Sequence, residues 1–88
     1  MAKSKQNILF IMADQLAPQF LPAYGHQVVR TPNIDRICER GVVFDAAYTN
    51  FPLCAPSRYS MMTGCLPSNI DALDNAAELS AEIPTFAH

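Results

Sequence analysis

Residues Ile8-Leu9-Phe10-Ile11-Met12-Ala13 form an unbroken apolar run that ends at Asp14-Gln15. The run does not alternate, so as a strand it has no face to offer water. Strands of that kind belong to parallel sheets covered by helices on both sides. It is too short to cross a bilayer. Lys3 and Lys5 precede it, as in a secretory leader, but the apolar stretch is short and stops at an acidic residue with no small-residue cleavage site. The expectation is a buried strand over residues 7–13.

A loop follows, marked by Pro18, Pro22 and Gly25. Thr31 is an N-cap candidate and Pro32 suits the first position of a helix. Ile34, Ile37 and Cys38 fall on one stripe of that helix. Gly41 is expected to end it as a C′ residue. Val42-Val43-Phe44 reads as a second, shorter strand that residues 46–48 can extend. A loop over residues 50–53 leads to a second helix, expected from Pro56 to Thr63 and stopped by Gly64. Residues 66–79 have no sustained period and read as loop, with a helical turn near 76–78. Pro84 opens one further turn.

The strand, helix, strand, helix order indicates an α/β fold with a mainly parallel sheet. Two strands are too few for such a sheet, so the 88 residues read as the N-terminal part of a larger domain. Half the residues are hydrophobic and 16% are charged, which is globular composition. The net charge of -2 and the lack of a basic patch argue against nucleic acid as a partner. Cys38, Cys54 and Cys65 are odd in number and follow no metal-ligand spacing. With no export signal, a reduced, cytoplasmic setting is expected.

The chemistry concentrates at Cys54-Ala55-Pro56-Ser57-Arg58 and the following Tyr59-Ser60-Met61-Met62-Thr63-Gly64. Cys54 is expected at a helix N-terminus, where free N–H groups and the dipole attract anions. Arg58 lies one turn on, on the same face. Guanidinium suits a tetrahedral oxyanion, so the block points to a sulfate or phosphate ester. Two alternatives stand beside this reading. One is a cysteine phosphatase, although those enzymes separate Cys and Arg by five residues. The other is a buried structural thiol.

The block C-A-P-S-R with its later T-G resembles the signature of the type I sulfatases. The resemblance implies an alkaline-phosphatase-like α/β fold. It implies that Cys54 is converted by a formylglycine-generating or other sulfatase-modifying enzyme to formylglycine, whose hydrate attacks sulfur and then releases sulfate. It also assigns Arg58 to steadying that hydrate. Asp14, where the first strand ends, matches an acidic metal ligand of the family, with modified Cys54 as a further metal contact. Many members have a second Asp where this chain has Gln15, which offers a carbonyl oxygen without charge. The expected ion is calcium, with manganese or magnesium as alternatives.

Asp14-Gln15 resembles the choline sulfatase and phosphonate monoester hydrolase branches. Both carry an Asn at about the position of Asn75 that reaches the substrate. The segments N-I-L-F-I-M-A-D-Q at 7–15, L-P-A-Y-G at 21–25, T-P-N-I-D-R at 31–36, P-L-C-A-P-S-R at 52–58, D-N-A-A-E at 74–78 and I-P-T-F-A-H at 83–88 are similar to choline sulfatases; T-P-N-I-D-R is shared widely among sulfatases, while D-Q, L-P-A-Y-G and D-N-A-A-E point more narrowly. Choline O-sulfate is then the implied substrate, and a phosphonate monoester or aryl sulfate the alternative. No membrane partner is expected, and a homo-oligomer is one expectation for the full-length protein, while the 88 residues alone are expected to be inactive. His26 reads as a surface loop residue, Cys38 as core and Cys65 as a helix-end thiol. Ser57 is expected to bond backbone N–H groups near the helix start.

Overall fold

The apolar run at residues 7–13 is exposed and carries no strand in the computed structural model, which describes residues 3–88. Ile8 is 91% and Leu9 84% exposed. Residues 42–44 are likewise not a strand, and none occurs among the described residues. Both strand expectations are therefore corrected. A strand is completed by the N–H and C=O groups of neighbours, and these two segments do not pair with each other. A strand hidden on both faces also needs flanking strands and covering helices, which residues 3–88 do not supply.

The chain divides into two units, Met1–Asp45 and Ala46–His88. In the first, short 3-10 turns at Pro18–Phe20 and Pro22–Tyr24 each begin with a proline. Helix α1 spans Pro32–Arg40, with Thr31 at the N-cap and Pro32 at the first position, as the sequence predicts. The Thr31 hydroxyl bonds the Asp35 carboxylate at 3.0 Å instead of a backbone N–H. Gly41 ends the helix as expected, in an extended conformation with φ -122°. Its missing side chain matters because a Cβ there would lie 3.1 Å from the Ile37 carbonyl oxygen. None of the described residues of this unit is buried. Cys38 is only half-buried, so its expected core placement is corrected.

The second unit is built around α2, Cys54–Thr63. The helix begins two residues before the position expected from Pro56. Proline is tolerated there because the first four N–H groups of a helix have no intrahelical partner. The first regular bond runs from the Ser57 N–H to the Leu53 carbonyl at 3.1 Å. The end matches expectation. Gly64 adopts φ 73°, and its N–H reaches the Ser60 carbonyl at 2.9 Å. The residues described as buried are Pro56, Ser60, Pro67 and Ala72. A 3-10 turn at Pro67–Asn69 interrupts the expected loop. The carbonyl of Pro67 accepts from Ala72 at 3.0 Å, which brings buried Ala72 into the unit's interior. Near the chain end, the Phe86 N–H reaches the Met62 carbonyl at 3.1 Å, satisfying one of the acceptors that a helix C-terminus leaves open.

Candidate active site

Leu53 is the extended N-cap residue of α2 and has no side-chain oxygen to satisfy the first N–H groups. Pro56 removes one of those donors because it has no N–H. Asn75 satisfies a second: its Oδ1 accepts the Ala55 N–H at 3.0 Å. A residue of a distant loop thus caps the helix that begins with Cys54. This is the structural position of Asn75, beside the first turn. Its oxygen is committed to the backbone, so the donor half of its amide is the part suited to a substrate oxygen.

The loop that carries Asn75 is shaped locally. The Asp74 carboxylate accepts the Ala76 N–H at 2.9 Å, an Asx turn. The Ala77 N–H lies 3.4 Å from the Asp74 carbonyl, so the turn centres on 74–77, slightly earlier than expected. The Tyr59 hydroxyl donates to the Ala77 carbonyl at 3.1 Å. Cys54 is exposed at the head of α2 and is a free thiol. Arg58 follows one turn later in the same helix.

Two hydroxyl contacts brace the other side of α2. The Thr49 hydroxyl donates to the Phe51 carbonyl at 3.0 Å, so it is the acceptor in its 3.2 Å contact with the Ser57 hydroxyl. Ser57 therefore meets a side chain and not the backbone N–H groups expected of it. Asn50 donates to the Ser60 hydroxyl at 3.0 Å. Thr49 and Asn50 stand in no motif, and Tyr59 lies between the two parts of the signature block; the fold alone brings their partners close.

In the other unit, Asp14 and Gln15 form a bend directly after the apolar run. Gln15 has φ 52°, left-handed backbone that is uncommon for a residue other than glycine. Both side chains are exposed. The described residues contain no group of three His, Cys, Asp or Glu able to hold a metal ion. His26 is more than a surface residue. Its Nδ1 accepts the N–H groups of Val28 and Val29 at 3.3 and 3.0 Å, and its ring lies 5.8 Å from that of Phe20. Cys65 sits after the helix end as expected, half-buried, with its sulfur 3.8 Å from the Thr63 carbonyl. No helix among the described residues is long and apolar enough to cross a membrane.

The family model described as Sulfatase matches residues 6–88. The chain belongs to the sulfatase family. Sulfatase membership agrees with the α/β class expected from the element order, although the described residues form no sheet. Among curated sulfatases, a choline-sulfatase of Rhizobium meliloti (strain 1021) is 44% identical over 88 residues, which is all of this chain and 17% of that protein. An N-acetylglucosamine-6-O-sulfatase of Bacteroides thetaiotaomicron is 35% identical over 82 residues, 93% of this chain and 15% of that protein. Human arylsulfatase D is 48% identical over 60 residues, 68% of this chain and 10% of that protein. The chain thus spans less than a fifth of these relatives. No solved structure matches it.

Proposed function

We propose that the full-length protein is a sulfuric ester hydrolase, acting on choline O-sulfate to give choline and sulfate. The observation that carries this reading is the C-A-P-S-R block at the head of α2, with the Asn75 oxygen bonded inside it at Ala55. Similarity along the whole chain to a choline-sulfatase supports the substrate. A phosphonate monoester or an aryl sulfate is the alternative, since sulfatases with other named substrates also match.

In this reading Cys54 is the residue that a sulfatase-modifying enzyme converts to formylglycine. The modified side chain supplies a hydrated aldehyde, whose two hydroxyls serve for attack on sulfur and for release of sulfate. Arg58 holds a fixed positive charge one helical turn from residue 54, which favours the anionic ester and the charge on the transferred group. Asn75 keeps its amide oxygen on Ala55 and donates through Nδ2 to a substrate oxygen.

Asp14 and Gln15 are consecutive oxygen donors, the ligand type that calcium and magnesium prefer. They would supply part of an ion's ligand set, because two side chains fall short of the six to eight oxygens calcium takes. Such an ion supplies Lewis-acid polarisation of the ester.

The test is turnover by the full-length protein co-produced with a sulfatase-modifying enzyme. Choline O-sulfate should exceed p-nitrophenyl sulfate and a phosphonate monoester in kcat/KM, and Cys54→Ala should abolish hydrolysis. Preference for the phosphonate would move the protein to the alternative. Turnover that survives Cys54→Ala would refute the site.

A further inference from the structure

We propose that Tyr59 is a positioning residue that holds Asn75 in register with the first turn of α2; this rests on the reading of Asn75 as a substrate donor. The Asn75 loop meets α2 at two points. The Asn75 Oδ1 accepts from Ala55, and the Ala77 carbonyl accepts from the Tyr59 hydroxyl. Ala55 and Tyr59 are four apart, so they lie on one face about 6 Å apart along the axis. Asn75 and Ala77 are two apart, within the turn that Asp74 closes. The two bonds tie neighbouring points of one short turn to residues one helical turn apart on α2, and together they form a clamp.

The Asp74 turn fixes the shape of this loop but not its place on the helix. One side-chain bond at Asn75 leaves rotation about its own torsions. The second bond, from a Tyr side chain with few rotamers, removes that slack. The direction of the Asn75 donor then follows from chemistry. With Oδ1 held by an N–H, a flipped amide would set two donors against each other, so Nδ2 has one orientation. Loosening the Tyr59 bond should release the Ala55 bond and blur the donor's aim.

The experiment uses the full-length protein with Tyr59→Phe, Asn75→Ala and the double variant. Phenylalanine keeps the ring and removes only the hydroxyl. Tyr59→Phe should lower kcat/KM for the sulfate ester by about 2- to 10-fold, the range expected for one net hydrogen bond. Asn75→Ala should lower it at least as much, and the double variant should equal Asn75→Ala alone. Losses that multiply in the double variant, or no loss in Tyr59→Phe, would overturn the proposal.

Amide exchange at Ala55 gives a readout independent of activity. Tyr59→Phe should speed exchange at Ala55 toward the rate seen in Asn75→Ala, and an unchanged rate would overturn the clamp. A wild-type protein that hydrolyses no sulfate ester would sink the reading of the site, while exchange at Ala55 would still decide whether Tyr59 holds the loop.

Discussion

The side-chain oxygen of Asn75 accepts the backbone N–H of Ala55 across a sequence separation of 20, at 3.0 Å. A loop residue thereby caps a helix whose own N-cap, Leu53, has no oxygen to offer. The capping and substrate-binding roles use opposite ends of the same amide, so substitution can separate them. Asn75→Ala should destabilise the full-length protein by about 1 kcal/mol, the usual effect of losing an N-cap. Asn75→Asp keeps an acceptor and adds a charge favoured at a helix N-terminus, so stability should be retained. It has no Nδ2 donor, so kcat/KM should fall. Urea unfolding and kinetics on both variants check this; equal stability of Asn75→Ala and wild type would contradict the cap.

Ser60 is 6% exposed, and its hydroxyl accepts from Asn50 at 3.0 Å. Removing the donor should leave a buried hydroxyl less well satisfied. Asn50→Ala should therefore cost about 1 kcal/mol in urea unfolding. On a Ser60→Ala background the same substitution should cost much less, because the shared bond is already gone. Additive losses would mean the two side chains act separately.

Gly64 closes α2 with φ 73°, and a Cβ built there meets nothing within 4 Å. The cost of a side chain is thus conformational and not a clash. Gly64→Ala should destabilise by about 1–2 kcal/mol, the penalty for an L-residue in this region. Gly64→Asn should cost less, since asparagine visits it more readily. Comparable thermal stability of the Ala variant and wild type would contradict a required left-handed end.

The 88-residue chain leaves Ile8, Leu9, Phe10 and Ile11 between 69% and 91% exposed. An apolar surface of this kind binds hydrophobic dyes and promotes association. The isolated chain should bind such a dye strongly and hydrolyse no sulfate ester, whereas the full-length protein should do the reverse. Metal-dependent turnover by the isolated chain would contradict this.

Local chemistry made the two helices legible. Thr31-Pro32 marks the start of α1, and Gly64 marks the end of α2. The start of α2 lies two residues before the one Pro56 predicts, because proline fits any position among the first orphan N–H groups, not the first alone. Residues 7–13 have strand-like content, but a strand also needs partners, and the described residues supply none. The resemblance singled out Asn75 near the nucleophile block, and the structure adds how it is held. The role of Tyr59 is not legible in the sequence because its bond to Ala77 joins residues 18 apart through tertiary packing.

The central claim is that Cys54 is an aldehyde precursor. Trypsin should release residues 41–58, a peptide in which Cys54 is the sole cysteine. Its mass should be measured in full-length protein co-produced with a sulfatase-modifying enzyme. Conversion of cysteine to formylglycine lowers the mass by about 18 Da, and the account predicts that loss in the active protein. Full sulfate ester hydrolysis by protein whose peptide retains the unmodified thiol mass would contradict it.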